Sequence, residues 1–495
     1  MSGAVFTLGN SVSGSLSLGS ALSKFGRVAG QAGFTIEQEE ETLNNTVTSR
    51  YAGLAAVTVS GVTSVLNPSL VLIPSAYNTS GSTGILYSLH SKPNGVADFV
   101  VTRATEGTRF NSVGRISSVG SGDARLDYLT SGGTVGPPAL LVEPSGTNIC
   151  LQSQDFTTTW SPTNVTVSAN VTGTTDPFGT NLAEQMFETV TSGLHFLSQT
   201  MSITSGTTYA GSIFFKKASG SPDWVQVAYS TTGLAGFANF NLTSGTVGNV
   251  FAGCTGRIEN YGNGWYRCTL IQTATASGTS GGPIPVFVNN TDSATRFLTY
   301  AGNASTSIYI FGAQLEVGSV ATSYIPTTTA AVTRAADAIR ASGVVSGCIG
   351  QSEGTVYFEF EVTDEARNRW ICSIDSGSGS FIQMWVSPTR AINVQIQNNS
   401  SVVMATLASL VLTVGYHKVA FVYNSETNGC IMYIDGVQNP AATRTVVAPG
   451  LPVFSNMSFG GFLSTNVDTL KGRVRAGALY TTRLTDAQLS VLTTI

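Results

Sequence analysis

Short runs that alternate apolar and polar residues, each closed by Gly, Ser or Asn, recur along most of the chain. A period of two puts successive side chains on opposite faces of a strand. YAGSIFFKK (209–217), DWVQVAYS (223–230), GFANFNLTSGTVGNV (236–250) and GRIENYGNGWYRCTLIQT (256–273) follow this rule. Their turn signals return at about the 8- to 12-residue spacing of a β-sandwich. A second series follows: GTVYFEFEV (354–362), RWICSID (369–375), FIQMWVS (381–387), INVQIQN (392–398), YHKVAFVYN (416–424), CIMYIDGV (430–437) and GRVRAGALY (472–480). The exception is LTDAQLSVLTT (484–494), where Thr485 caps a short predicted helix, Asp486 lies in its first turn, and Leu489 and Leu492 share a face.

The expected fold is all-β: two jelly-roll β-sandwiches in tandem after an extended N-terminal docking segment. Residues 1–66 are poor in large side chains, with SVSGSLSLGSALSKFG (11–26), the acidic run EQEEE (37–41) and LAAVTVSGVTSVL (54–66). Such a segment buries too little to fold alone: it is either a flexible tail or a segment that docks on a partner, and docking is the preferred reading. Residues 67–147 read as a β-rich connecting region of short strands, among them LVLIP (70–74), ADFVVTRAT (97–105) and ALLVEP (139–144), separated by Gly, Asn and Pro turns. Residues 148–340 form the first expected sandwich, ending in the Thr/Ala-rich connector IPTTTAAVTRAADAIRAS (325–342), and 341–495 form the second.

Composition narrows the function classes. Of the 495 residues only 11% are charged, against roughly 25% in ordinary globular chains. The net charge is −4 and no basic run occurs, which disfavours nucleic-acid binding. No apolar stretch reaches the ~18 to 20 residues of a membrane helix, and the opening MSGAVFTLGNSVSGSLSLGS lacks the basic start and apolar core of a signal peptide. Assembly in a cytoplasm is expected. The six cysteines (Cys150, Cys254, Cys268, Cys348, Cys372, Cys430) form no CxxC and have no nearby His, so buried free thiols are expected rather than a metal finger.

In PPALLVEPSGTNICLQSQDFTTTW (137–160), Glu143 and Asp155 lie twelve positions apart with Trp160 behind them. Glycoside hydrolysis needs two carboxyls about 5 to 10 Å apart, one with a raised pKa. A Glu-Pro-Ser-Gly strand end and a capping Asp account for the same residues as turn chemistry, and that reading is preferred. His90, His195 and His417 have no nucleophile motif nearby, and no His/Asp cluster suits a metal. No catalytic residue, cofactor or metal is therefore assigned; a structural Ca²⁺ would rest on single Asp residues in NGCIMYIDGV and STNVD. Sugar binding rests on aromatic faces and amides. Trp224, Trp370 and Trp160 are the candidate stacking residues, while Trp265 alternates into a sheet; Trp385 is the remaining tryptophan.

TRATEGTRFNSVGRI (102–116), ARLDY (124–128), ALLVEPSGTNICLQSQDF (139–156) with Trp160, YAGSIFFKKASG (209–220), NYGNGWYRCTL (260–270) and IFGAQLEVGSVATSYIPTTTAAVTRAAD (310–337) occur in the order of a module found in tailed-bacteriophage virion proteins. Over roughly 98–338 the chain resembles that module, which looks like a carbohydrate-binding jelly roll. One departure is Gly146, where the family usually has Arg before Thr-Asn. YHKVAFVYN, CIMYIDGV and GRVRAGALYTTRLTDAQLSVL make the final third similar to a concanavalin A-type lectin/laminin-G sandwich. The resemblance implies a virion fibre or surface appendage, assembled in the host cytoplasm, anchored by its N-terminal segment to other virion proteins, trimeric, and touching host-surface polysaccharide. A purely architectural capsid or tail decoration and a capsule-degrading tailspike depolymerase are the alternatives.

Overall fold

The computed structural model describes residues 34–35 and 49–495, except 75–76, 81–82, 87, 89, 92–97, 231–232, 344, 351, 365–366, 378, 399–402, 425–428, 440–452 and 462–468. The acidic run 37–41 and the STNVD segment lie outside the described residues. The described chain is almost entirely antiparallel β, apart from a short helix at 49–55 and the helix Asp486–Thr493.

Two six-stranded sheets form the central sandwich. One runs in the order Ser161–Thr163, Phe196–Ser198, Ile284–Phe287, Trp224–Ala228, Phe237–Asn241, Thr246–Val250. The other runs Val165–Ser168, Glu184–Glu188, Ser307–Val317, Thr208–Lys217, Trp265–Thr273, Cys254–Asn260. Alternation does the sorting: Tyr209, Ile213 and Phe215 enter the buried core with Val225, Val227, Phe240 and Leu270, while Phe214 joins Trp265, Phe311 and Tyr324 in a second cluster on the outside of the sheet.

The larger sandwich departs from the expected domain boundaries. Its nine-stranded sheet places Leu70–Leu72, Leu126–Leu129 and Val135–Val142 beside Gly472–Tyr480, Gly354–Val362 and Gly415–Tyr423. Its ten-stranded sheet places Tyr77–Ser80, Thr83–Leu86 and Phe99–Thr102 beside Ala338–Ala341, Asn456–Phe459, Arg369–Asp375, Phe381–Val386, Ala391–Gln397 and Val403–Val411. The segment expected to connect, 67–147, thus supplies strands to the last sandwich, and the strand Ala338–Ala341 crosses the boundary expected at 340. The reason is burial. Leu72, Phe99, Val101, Leu126 and Leu140 share one core with Phe358, Phe360, Ile374, Met384 and Phe459, and Phe99 meets the Phe459 ring edge-on at 4.8 Å. The central sandwich leaves and returns through adjacent strands, Gly146–Asn148 pairing with Val332–Arg334.

Residues 49–66, counted with the docking segment, pack on their own chain. Tyr51, Leu54, Val57 and Leu66, with helix residues Leu489 and Leu492, cover Tyr357 and Tyr480 on the outer side of the nine-stranded sheet. The Tyr480 hydroxyl donates to Leu54 O at 2.7 Å. The helix starts as the sequence predicts, with Thr485 and Gln488 forming a reciprocal capping box. All six cysteines are free thiols, and only Cys254 is not fully buried.

Candidate functional site

Glu143 and Asp155 occupy unlike surroundings. Glu143 is buried at the junction of the sandwiches, where its carboxylate accepts from Arg125 Nη1 (2.7 Å), Ser323 N (2.8 Å) and Ser323 Oγ (2.7 Å). Burial pushes its pKa up, but Arg125, Arg334 and Lys471 outweigh that and hold the carboxyl well below the usual carboxylate range. A general acid needs the opposite shift. Asp155 lies nearer the surface, taking Thr157 N and Thr157 Oγ1 (2.9 and 2.6 Å) and Thr158 Oγ1 (2.9 Å), as an Asx-turn residue does.

Residues from 102–116, 124–128 and 310–337 converge on Glu143 and its neighbours. Arg125 also clasps Asp337 through Nε (3.2 Å) and Nη2; Arg103 Nη1 donates to Asp337 Oδ1 (3.0 Å); Arg334 Nη2 donates to Pro144 O (2.6 Å). Asp337 Oδ2 accepts Glu143 N at 2.9 Å. Asn148 Nδ2 donates to Ala313 O and Ile325 O (3.0 and 2.9 Å). These polar residues are buried and serve mainly to tie together strands distant in sequence. Gly146 fits the same pattern: a Cβ there would stand 2.4 Å from Glu316 Oε1, whose carboxylate is already taken by Thr322 N (2.7 Å) and Thr322 Oγ1 (2.6 Å).

The structure brings one expected stacking residue together with a second ring. Trp370 and Trp385 stand opposite each other in neighbouring strands, centroids 5.8 Å apart and planes 20° from parallel. Met384 and Val386 point into the core, so Trp385 points to the other face of the ten-stranded sheet. That face is laid out in rungs. One rung crosses six strands: Arg340, Ser458, Ser373, Gln383, Gln395, Thr406. Asn456, Asp375, Phe381 and Gln397 form a second, and Trp370, Trp385 and Asn393 a third. Gln383 Nε2 lies 3.4 Å from Ser373 Oγ, and Asp375 is held by Asn456 Nδ2 (2.9 Å) and Arg340 Nη2 (3.5 Å). Both indoles are half-buried, each leaving part of its surface to solvent. The pattern was visible in FIQMWVS and INVQIQN as polar alternate positions; their convergence in rungs needed the strand register.

Trp224 and Trp160 do not join this face. Trp160 is 5% exposed, packs against Phe156 at 4.8 Å and donates Nε1–H to Gln152 O at 3.3 Å, so it is a core residue and no sugar platform. It follows a capped turn that folds it inward. Trp224 is half-buried at the edge of a cluster on the central sandwich, beneath a loop at 288–298. Buried Gln226 and Asn239 pin that loop: Gln226 Nε2 donates to Thr295 O (3.1 Å), Asn239 Nδ2 to Asp292 O and Ala294 O (2.9 and 3.0 Å). Trp265 is buried, as its alternation predicts, with Nε1–H on Thr175 O at 2.9 Å. His417 faces Asp435 Oδ2 at 2.5 Å, and Asp435 Oδ1 accepts Lys418 N at 3.0 Å, leaving this turn poorly suited to Ca²⁺. Among the described residues no group of three or more His, Cys, Asp and Glu is arranged to hold a metal.

Neither a family model nor a curated protein sequence matches the chain. Among solved structures it is similar to the Ruminococcus gnavus IT-sialidase CBM40 bound to α2,3 sialyllactose, at 18% identity over 30% of this chain and 84% of that one, TM-score 0.26. It is also similar to the receptor binding domain of botulinum neurotoxin mosaic serotype C/D (15% identity, 32% of this chain and 39% of that, TM-score 0.25) and to the SAP-like pentraxin from Limulus polyphemus (14%, 28% and 69%, TM-score 0.24). At these scores no residue of this chain takes a role from them.

Proposed function

We propose that the protein is a virion surface appendage of a tailed bacteriophage that adheres to host-surface glycans without cleaving them, using the outer face of its ten-stranded sheet. One observation carries the glycan part: the stacked Trp370–Trp385 pair on the same face as the half-buried amides of Asn393, Gln395 and Gln397, while Ser373, Gln383 and Ser458 of the long rung are buried beneath. A pyranose offers an apolar face to an indole, while its hydroxyls exchange hydrogen bonds with amides and hydroxyls. Such contacts are individually weak and gain strength through repeated copies. The virion setting, anchorage through the N-terminal segment and a trimeric assembly rest on the sequence resemblance of residues 98–338.

The test pairs a glycan array with whole host cells. Trp385→Ala and Gln395→Ala are expected to weaken binding at least about tenfold, the loss of one buried stacking or hydrogen-bonding group. A wild-type protein silent on glycans but tight on assembled particles selects the architectural decoration instead. Sedimentation checks the trimer.

A further inference from the structure

A cavity of about 380 Å³ lies between the two sandwiches. The strands Cys254–Asn260 and Trp265–Thr273 wall it on one side and Gly472–Tyr480 on the other, with 320–324 between. Exposed Glu259 and Val414 stand at its mouth; Arg267, Thr322 and Glu143 are buried at its base. The chain as a whole carries −4, yet five basic side chains line this one space: Arg109, Arg257, Arg267, Lys471 and Arg473.

Most of the acids facing them are already matched. Arg473 takes Asp127 Oδ1 (2.8 Å) and Glu361 Oε2 (3.0 Å), Glu143 is held from behind by Arg125, and Arg257 turns to Asp364 Oδ2 (2.8 Å), which shares its charge with Arg390. Arg267 differs. It is 1% exposed, and its guanidinium donates to neutral oxygens: Ser212 Oγ from Nε (3.1 Å) and Nη2 (3.0 Å), Thr322 O from Nη1 (2.7 Å). The nearby Glu316 carboxylate is occupied by Thr322 and Gln314. Glu259, opposite Arg267 in the neighbouring strand, and Glu316 add their charge from the side, but the hydrogen bonds of this guanidinium go to neutral groups. At the base of a cleft such a buried cation favours an incoming anion, because low-dielectric walls focus its field. Phe110 and Tyr261, edge to face at 6.1 Å, add ring surface beside it.

We propose that this cleft is a second binding site, for the carboxylate of an acidic sugar of the uronic acid class. It uses none of the residues of the tryptophan face and stands or falls separately from it. The volume lies in the range of about 300 to 1,000 Å³ typical of small-ligand clefts.

The experiment is calorimetric titration of the full chain with sodium glucuronate, glucose and sodium acetate. Glucuronate is expected to bind at least about tenfold more tightly than either control at 50 mM NaCl, and to weaken on going to 0.5 M. Arg257→Ala, at the cleft wall, should reduce the affinity severalfold. Arg267→Gln should abolish the preference over glucose, and Arg267→Lys should restore part of it, which a folding defect would not do. Equal binding of glucuronate and glucose, equal binding of acetate, or full affinity in both Arg257→Ala and Arg267→Gln overturns the proposal. So does loss of glucuronate binding in Trp385→Ala, since that assigns the acid to the sheet face. Should the adhesion reading fail, wild-type glucuronate binding persists.

Discussion

Arg125 and Glu143, eighteen residues apart, meet at 2.7 Å with both side chains sealed from solvent where the two sandwiches join. Neither is replaceable alone, because removing one member of a buried pair strands the other charge. Glu143→Leu is expected to cost about 3 to 5 kcal/mol, with the native state losing order at the junction. Chemical denaturation monitored by tryptophan fluorescence checks the loss. Glu143→Gln should destabilise less and leave sugar binding at the tryptophan face unchanged. If the protein did cleave capsule through this carboxylate, Glu143→Gln would abolish oligosaccharide release while binding persisted.

Acid should unlock the same junction. Burial raises the pKa of both Glu143 and Asp337, but the surrounding guanidiniums, Arg125 foremost, prevail and depress both. A carboxyl with a depressed folded-state pKa contributes stability above its unfolded pKa and loses it as pH falls toward the folded value. The ordinary values are 4.5 and 3.8, so what these two carboxylates contribute to the midpoint of denaturation should be constant above about pH 4.5 and fall away steeply below it. A stability profile from pH 7 to pH 2.5 measures this. Glu143→Gln should flatten its upper part.

Glu184 should respond in the opposite sense. Burial pushes its pKa up to about 7, nearby Asp155 adds to the rise, and the Phe156 N–H at 2.8 Å opposes it. A raised folded-state pKa means the neutral acid stabilises the fold fully below the unfolded value of 4.5, and that contribution is lost as pH rises through about 7. Glu184→Gln keeps an oxygen for Phe156 N–H without the charge. Its stability relative to the natural protein should therefore climb between pH 4.5 and 8 and stay flat at lower pH. Paired thermal melts at pH 4 and pH 8 decide it; a difference independent of pH would refute the assignment.

What alternation and turns specify could be read directly: the strands of both sandwiches, the cap at Thr485 and the inward position of Trp265. What depends on register could not. Trp370 and Trp385 are fifteen residues apart in sequence, and only a hairpin of known register makes them neighbours. Trp160 reads like an exposed ring after a polar stretch, but a turn capped by Asp155 folds it onto Phe156. Arg103, Arg125, Glu143, Arg334 and Asp337 are charges scattered over four segments, and no local pattern marks them as one buried network. Strand pairing over hundreds of residues is equally hidden, which is why 67–147 resembled a connector.

That long-range pairing yields a last prediction about folding units. The strands Gly146–Asn148 and Val332–Arg334 run antiparallel with Asn148 opposite Val332, so the ends of the central sandwich lie side by side. Joining 148 to 332 through a short Gly-Ser turn spans the gap of one strand spacing, about 5 Å. The remaining residues keep both sheets of the larger sandwich and the shared core of Phe99, Leu140, Phe358 and Phe459. Such a chain should fold, giving cooperative unfolding and protease resistance. The fragment 341–495 should not, since it lacks Val135–Val142, which pairs with Gly472–Tyr480, and Phe99–Thr102 and Ala338–Ala341 beside Asn456–Phe459. Circular dichroism and limited proteolysis of the two polypeptides compare them. A stable fragment 341–495 would show that the N-terminal strands merely decorate a sandwich complete without them.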